Sequence, residues 1–317
     1  MIKSAPGLAA IVVIALISRA VSAQMTLDDD GSRLLVLDRG KPVIGYFYGG
    51  TAAEEAPRDT QFIYPLHGMG GDKIVGESEK LDGHSGIFWA WGNCQVGNRP
   101  MDVWEGVSAR RDFERWLEQT ASAERADIAL QSVWLFTDTG AAQVIETTAI
   151  TVWPELRNSR SIDISIYLRN VSYELLTIAG VDNAQGFCLR PALDLKKLTL
   201  SGGRGIVAEG LSSMRSPWLD ISYQNPRHAS YSGLAIFQHP KNPGYTGANW
   251  HFGAEGLVGA SLPKAERHKL KPGEGMHFQY RLYIHRGFGP NQALEKPYAD
   301  YLREINAPDN RLSSKQN

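Results

Sequence analysis

The chain has 317 residues, 33 lysines and arginines against 34 acids, a formal net charge of −1 and 43% hydrophobic residues. Both signs are spread evenly, so there is no electrostatic footprint for nucleic acid or an anionic membrane surface, and neither is expected as a partner. The length admits one large β domain or two smaller ones.

In chain order, Met1–Ala23 carries Lys3, an apolar run from Leu8 to Ile17 and a small-residue end at Val21-Ser22-Ala23. This predicts a secretory signal cut before Gln24 and a mature protein that is periplasmic or secreted. No later stretch reaches about 18 uninterrupted apolar residues, so no membrane association is expected after cleavage. Leu35–Tyr48 reads as a hairpin turning at Arg39-Gly40-Lys41-Pro42. Residues 52–60 are polar and hold Pro57, which makes a loop, and Gln61–Leu66 is a short strand. His67–Gly86 carries six glycines with acids and serines between them. That composition suits the rim of a pocket; a phosphate loop would need a lysine at fixed spacing, which is missing.

Leu81–Trp104 then gathers His84, Trp89, Trp91, Cys94, Asp102 and Trp104 in one turn-rich segment. Aromatic bodies with polar handles are how a sugar-sized ligand is commonly held. Trp89 and Trp91 share one face of a strand, and core filling is the commoner outcome of such alternation. Phe113–Glu124 has enough length for three helical turns but few apolar positions. Ile128–Thr137 and Gln143–Trp153 form a hairpin across Asp138-Thr139-Gly140. Ser161–Leu168 alternates strictly, with Ile162, Ile164, Ile166 and Leu168 inward. Met276–His285 repeats the pattern, with Met276, Phe278, Tyr280, Leu282 and Ile284 inward and His277, Gln279, Arg281, Tyr283 and His285 outward. Phe187–Arg190, Gly205–Glu209 and Gly233–Gln238 are strand-like, and Gln292–Ile305 is a helix that Pro297 kinks or starts. The fold class is therefore all-β: one large antiparallel β-sandwich over 24–310 with a short C-terminal helix, followed by a disordered tail over 311–317.

Several of these segments resemble the secreted bacterial PmoA-like family. They are Tyr64-Pro65-Leu66, the glycine-rich stretch, His84–Trp91, Asp102-Val103-Trp104, Gly233–Pro240, Asn242-Pro243 with Trp250, and Lys271–Glu274 ahead of a long strand. The resemblance covers most of the mature chain in the same order. It implies a β-sandwich of the galactose-mutarotase-like type in exported proteins of carbohydrate-degrading bacteria, with a reaction largely unassigned. The methane-oxygenase label attached to that family does not transfer, because such an oxygenase needs spanning helices and this chain has none beyond its signal. Family members carry a histidine pair followed by arginine and glycine before the aromatic strand. Here the run is Asp82-Gly83-His84-Ser85-Gly86, so one histidine survives.

His84 is the first candidate acid or base, and His67 in the nearby Pro-Leu-His-Gly is the candidate replacement for the missing imidazole. Arg190 ends an apolar strand, where it serves either as a bidentate clamp on a uronate or sulfate or as half of an interstrand ion pair. Glu146, mid-strand among apolar neighbours, is either a tuned acid or, more commonly in strands, a solvent-facing carboxylate. His239 and Asn242 follow the strand ending at Gln238, and Trp250 lies in a second strand-end cluster; for Asn242 a structural turn is the favoured role. Trp89, Trp91, Trp104 and Trp250 are the candidate stacking surfaces. The histidines show no metal-ligand spacing, and no cofactor follows from the sequence. Cys94 and Cys188 are either a disulfide or two buried thiols. Three readings follow: a glycan-cleaving or glycan-modifying enzyme acting by elimination, hydrolysis or epimerisation; a glycan-binding protein without turnover; and an exported sandwich for protein contact. The first is favoured, with an oligosaccharide or other small glycan as partner. Oligomeric state is not legible.

Overall fold

A computed structural model describes residues 24–49, 61–78, 84–179, 185–207, 211–225, 230–245, 249–253, 256–261, 267–287 and 294–306. The predicted signal, the loop over 52–60, residues 79–83 of the glycine-rich stretch, His228 and the tail over 311–317 lie outside the described residues.

Two nine-stranded antiparallel sheets pack face to face. The first runs Met25–Asp29, Arg33–Asp38, Lys41–Phe47, Phe62–Leu66, Ile87–Ala90, Gly186–Leu189, Val258–Ser261, Asn249–Phe252, Ser213–Arg215. The second runs Gly205–Ile206, Thr199–Gly202, Trp218–Asn225, Ser230–Gln238, Gly275–Arg286, Ser159–Asn170, Ala142–Val152, Ala126–Phe136, Ala109–Ala121. A third sheet of four short strands gives Leu176, Ile178, Cys94, Val96 and Met101 to the same core.

Alternation drives this arrangement. In Ser159–Asn170, Ile162, Ile164, Ile166 and Leu168 are buried and the residues between them are not. Their partners Leu282, Tyr280, Phe278 and Met276 are buried on the same face. Each such side chain contributes about 1.5–3 kcal/mol, so a one-residue slip of either strand would expose the whole set. The first hairpin closes more tightly than the four-residue turn expected from sequence: Asp38 pairs with Lys41 across Arg39 and Gly40 alone. Both turn residues have positive φ, 51° and 75°, the twist that matches a two-residue hairpin turn.

Two expectations are corrected. Residues 113–124 do not coil: Ala109–Ala121 is the edge strand of the second sheet. Register shifts at Phe113/Arg115 and Trp116/Glu118 break its period-2 pattern, which is why its few apolar positions looked irregular. The outward face of the strand ending at Arg286 is not left to solvent either. The helix Glu295–Asn306 packs Tyr298 and Tyr301 against Phe237 on that side, and Arg281 and His285 are buried. Pro297 falls in the first helical turn, where its missing N–H has no partner to lose, so it starts the helix. Cys94 and Cys188 are free and buried, and burial pushes both thiols well above their ordinary range. There is no disulfide between them.

Candidate functional site

The inner and outer faces of the first sheet follow from register. Trp89, Phe187, Ala260 and Trp250 form one row across four strands, and Phe187 stacks on Tyr280 of the second sheet at 4.0 Å. That row is the inner one. The adjacent row, Phe88, Cys188, Gly259 and His251, therefore faces outward.

His84 stands at the outer face, on the turn that leads into Ile87–Ala90. Its ring lies 4.5 Å from Trp104 and 5.1 Å from Phe88, and Phe88 and Trp104 lie 5.6 Å apart. His84, Trp104 and Arg190 are each partly exposed, while Phe88 beneath them is buried. Arg190 Nε donates to the backbone carbonyl of His84 at 3.1 Å, across 106 positions of sequence. The Arg190 N–H also donates to Gly86 O at 2.8 Å, so strand and turn are held together twice.

Glycine fixes the turn. Gly86 has φ of 61°, and a Cβ there would sit 2.0 Å from the Ile63 carbonyl, so only glycine lets the His84 turn lie this close to its neighbour. Trp104 is held by an Asx-type loop in which Asp102 Oδ1 accepts from the N–H groups of Trp104 at 2.8 Å and Glu105 at 3.0 Å. On the near side of the turn, Lys73 Nζ donates to Tyr64 OH at 2.7 Å. Burial first, then Glu77, push the Tyr64 hydroxyl above its ordinary value. The cluster thus offers an imidazole, an aromatic face and a guanidinium on one small patch.

The other predicted site residues go elsewhere. Trp89, Trp91 and Trp250 are buried at 0–1% exposure, so their rings fill the core and present no face to a ligand. Glu146 is neither solvent-facing nor accessible. Its carboxylate accepts from Trp89 Nε1 at 2.7 Å, Trp134 Nε1 at 2.8 Å and Thr148 Oγ1 at 3.1 Å, and lies 3.3 Å from Arg111 Nη1. Arg111 also donates to the carbonyls of Trp89 and Gln61. A carboxylate saturated in this way, inside the sandwich, has no route to a substrate.

His67 does not join His84. The segment around Lys73–Gly76 runs between them: Ile74 N–H donates to Leu66 O, and Gly86 N–H donates to Gly76 O. Two strand spacings, about 9–10 Å, therefore separate the two backbones. His239 and Asn242 belong to the second sheet, on the far side of the sandwich. His239 is buried beside Tyr301 of the helix, and Lys241 N–H donates to its Nδ1 at 3.0 Å. Burial, then the charges of Lys241 and His277, lower its pKa. Asn242 exchanges two hydrogen bonds with the Gln279 backbone, at 2.9 and 2.8 Å, which is the structural role its turn sequence favoured.

Phe88 and His251 are the residues sequence reasoning passed over. Parity could have found both: each neighbours a core-facing tryptophan and therefore points outward. His251 shares the outer row with Phe88 at a distance of three strand spacings, about 14 Å. Among the described residues no group of three or more His, Cys, Asp or Glu could hold a metal ion. No helix among them is long and apolar enough to cross a membrane.

Residues 33–298 match a protein family described as a family of unknown function, DUF6807. No curated protein matches the sequence. Among solved structures the fold is similar to an α-galactosidase of Geobacillus stearothermophilus in complex with stachyose, at 12% identity over 83% of this chain and 40% of that one, TM-score 0.34. It is also similar to galactose 1-epimerase of Lactobacillus acidophilus, at 11% identity over 82% of this chain and 93% of that one, TM-score 0.39. A polysaccharide lyase is similar at 11% identity over 84% of this chain and 33% of that one, TM-score 0.36. The chain thus spans about two fifths of the α-galactosidase's length.

Proposed function

We propose that this chain, which belongs to the DUF6807 family, is an exported enzyme that acts on an acidic glycan at the His84–Arg190–Trp104 patch. The resemblance to secreted PmoA-like proteins and the predicted signal are part of the same reading. One observation carries it: His84 and Arg190, singled out separately in the sequence, are in hydrogen-bond contact across 106 positions.

The residue set favours one reaction over its rivals. Hydrolysis by the usual route needs two carboxylates facing each other across the bond. Glu146 is locked in the core, and Asp102 Oδ1 already accepts from two backbone N–H groups. A histidine whose backbone carbonyl is held by an arginine side chain brings a base and a cation to one patch, a pairing that suits abstraction of the proton next to a uronate carboxylate. Arg190 would neutralise the acid as charge builds on it, and the Trp104 face would stack the sugar ring. His84 takes the proton, the bond to the leaving oxygen breaks, and the electron pair of the broken C–H bond becomes a carbon–carbon double bond. The leaving oxygen picks up a proton.

The test is incubation of the mature protein with neutral, uronate-bearing and sulfated oligosaccharides, with and without chelator. Product mass and absorbance from new unsaturation are the readouts. Turnover of a uronate-bearing substrate is expected, with a loss of roughly 100-fold or more in His84→Ala. Undiminished turnover in that variant overturns the mechanism. Binding to a glycan with no turnover at all would make the patch a recognition site instead.

A further inference from the structure

The inner faces of both sheets are apolar along most of their length and turn polar at one end of the sandwich. Leu34 and Val36 precede Asp38 on the inner face of the first sheet; on that of the second, Ile162 follows Arg160 and, on the neighbouring strand, Ile284 precedes Arg286. These three charged residues line a cavity of about 520 Å³ at the mouth between the sheets, together with Lys41, His67 and Glu155. That volume has room for a ligand of monosaccharide size. None of His84, Arg190 and Trp104 lines it.

The mouth is built rather than merely open. Asp38 is 5% exposed, and its Oδ2 accepts from Arg160 Nη2 at 2.7 Å and from the Glu155 N–H at 3.3 Å. Burial alone would raise the Asp38 carboxyl, but the hydrogen bond and charge of Arg160 and the Glu155 N–H hold it below its ordinary value. It is therefore an ionised acceptor. Its other oxygen, Oδ1, is buried and accepts no hydrogen bond, with Arg39 Nε 3.9 Å away. Arg286 donates through Nη2 to Met69 O, while its buried Nε has no hydrogen-bond partner. His67 Nδ1 faces the Gly71 carbonyl at 3.2 Å, which can only accept, so that nitrogen carries a proton and the ring is fixed.

A buried ion pair at such a place is weak evidence for stability, since apolar residues of similar volume often do as well. An acceptor and a donor left buried without partners carry a cost that a ligand could offset. Four cationic side chains against two carboxylates give the lining a positive balance. We propose that this mouth is a second binding site, for a hydroxylated anion of monosaccharide size such as a free uronate. Asp38 Oδ1 accepts a ligand hydroxyl, and Arg286 with Lys41 takes the anionic group.

The experiment is calorimetric titration of the full chain carrying Arg190→Gln, so that the first patch is already disabled. The probes are D-glucuronate, glucose and inorganic sulfate. Glucuronate should bind saturably, one per chain, and more tightly than either other probe. Adding Lys41→Gln, an exposed position whose change leaves the fold alone, should weaken it at least about five-fold. Adding Asp38→Asn, checked for an intact melting transition, should erase the preference for glucuronate over sulfate. Absence of saturable glucuronate binding overturns the proposal. So does equal affinity for sulfate before Asp38 is changed, or indifference to Lys41→Gln. Binding that survives Arg190→Gln while turnover fails would separate this site from the proposed function.

Discussion

Glu146 shows what one residue's parity does and does not reveal. It shares its strand face with Val144, Thr148, Ile150 and Val152, all buried, so the alternation alone points it inward. Its partners were not legible, because Trp89, Trp134 and Arg111 come from three other strands and meet only in the folded sandwich. The two indole N–H groups and the guanidinium make an ionised carboxylate tolerable there. Removing it strands Arg111 with its charge buried. Glu146→Ala should therefore lower the unfolding free energy by about 3–5 kcal/mol, read by urea denaturation at neutral pH. A loss under about 1 kcal/mol would mean that the carboxylate does not hold Arg111. His84 and Arg190 differ in kind: His84 stood out ahead of the tryptophan strand and Arg190 at the end of an apolar one, and both are partly exposed. A strand end does not guarantee access, since His239 and Asn242 also follow a strand and are buried under the helix side of the second sheet.

At the scale of elements, the long strands were legible and their coverings were not. Strict alternation fixed Ser159–Asn170 and Gly275–Arg286 in the core, yet the same alternation left Arg281 and His285 looking solvent-facing. A sequence period reports two faces but not what lies on each. For Arg281 the helix Glu295–Asn306 decides that, through Tyr301 and Glu304, whereas His285 is paired with the buried Asp220; the helix packs on the second sheet where His239 sits beside Tyr301. This arrangement has a pH consequence. Burial, then Lys241 and His277, depress the His239 pKa below its ordinary 6.5. The unfolded chain therefore takes up the proton first as pH falls, so stability is full above about 6.5 and declines below it until the folded pKa is reached. The thermal midpoint should drop between pH 7.5 and pH 5.5, and His239→Gln should flatten part of that drop. A midpoint that changes equally with pH in the wild type and His239→Gln would remove His239 as the cause.

Among the described residues one large apolar core takes side chains from all three sheets, and a smaller cluster beneath the helix stands apart from it. Cys188 lies in the first large sheet and Cys94 in the four-stranded one, each buried and each with its thiol pushed up by burial. Neither is a reactive thiolate in the native state, so modification requires opening. With a shared core, the opening that frees one thiol should be the opening that frees the other. Labelling of the native protein by an aromatic disulfide reagent should thus be slow for both cysteines. The two rates should rise with urea along the same slope as global unfolding, and Glu146→Ala should accelerate both by the same factor. If Cys94 labels with a shallower urea dependence than Cys188, the small sheet opens on its own and the core is energetically divided. That division would matter for the candidate site. The strand Arg99–Met101, paired with the one carrying Cys94, leads into the loop that holds Trp104, and a sheet that opens independently would release the aromatic face while leaving His84 and Arg190 in place.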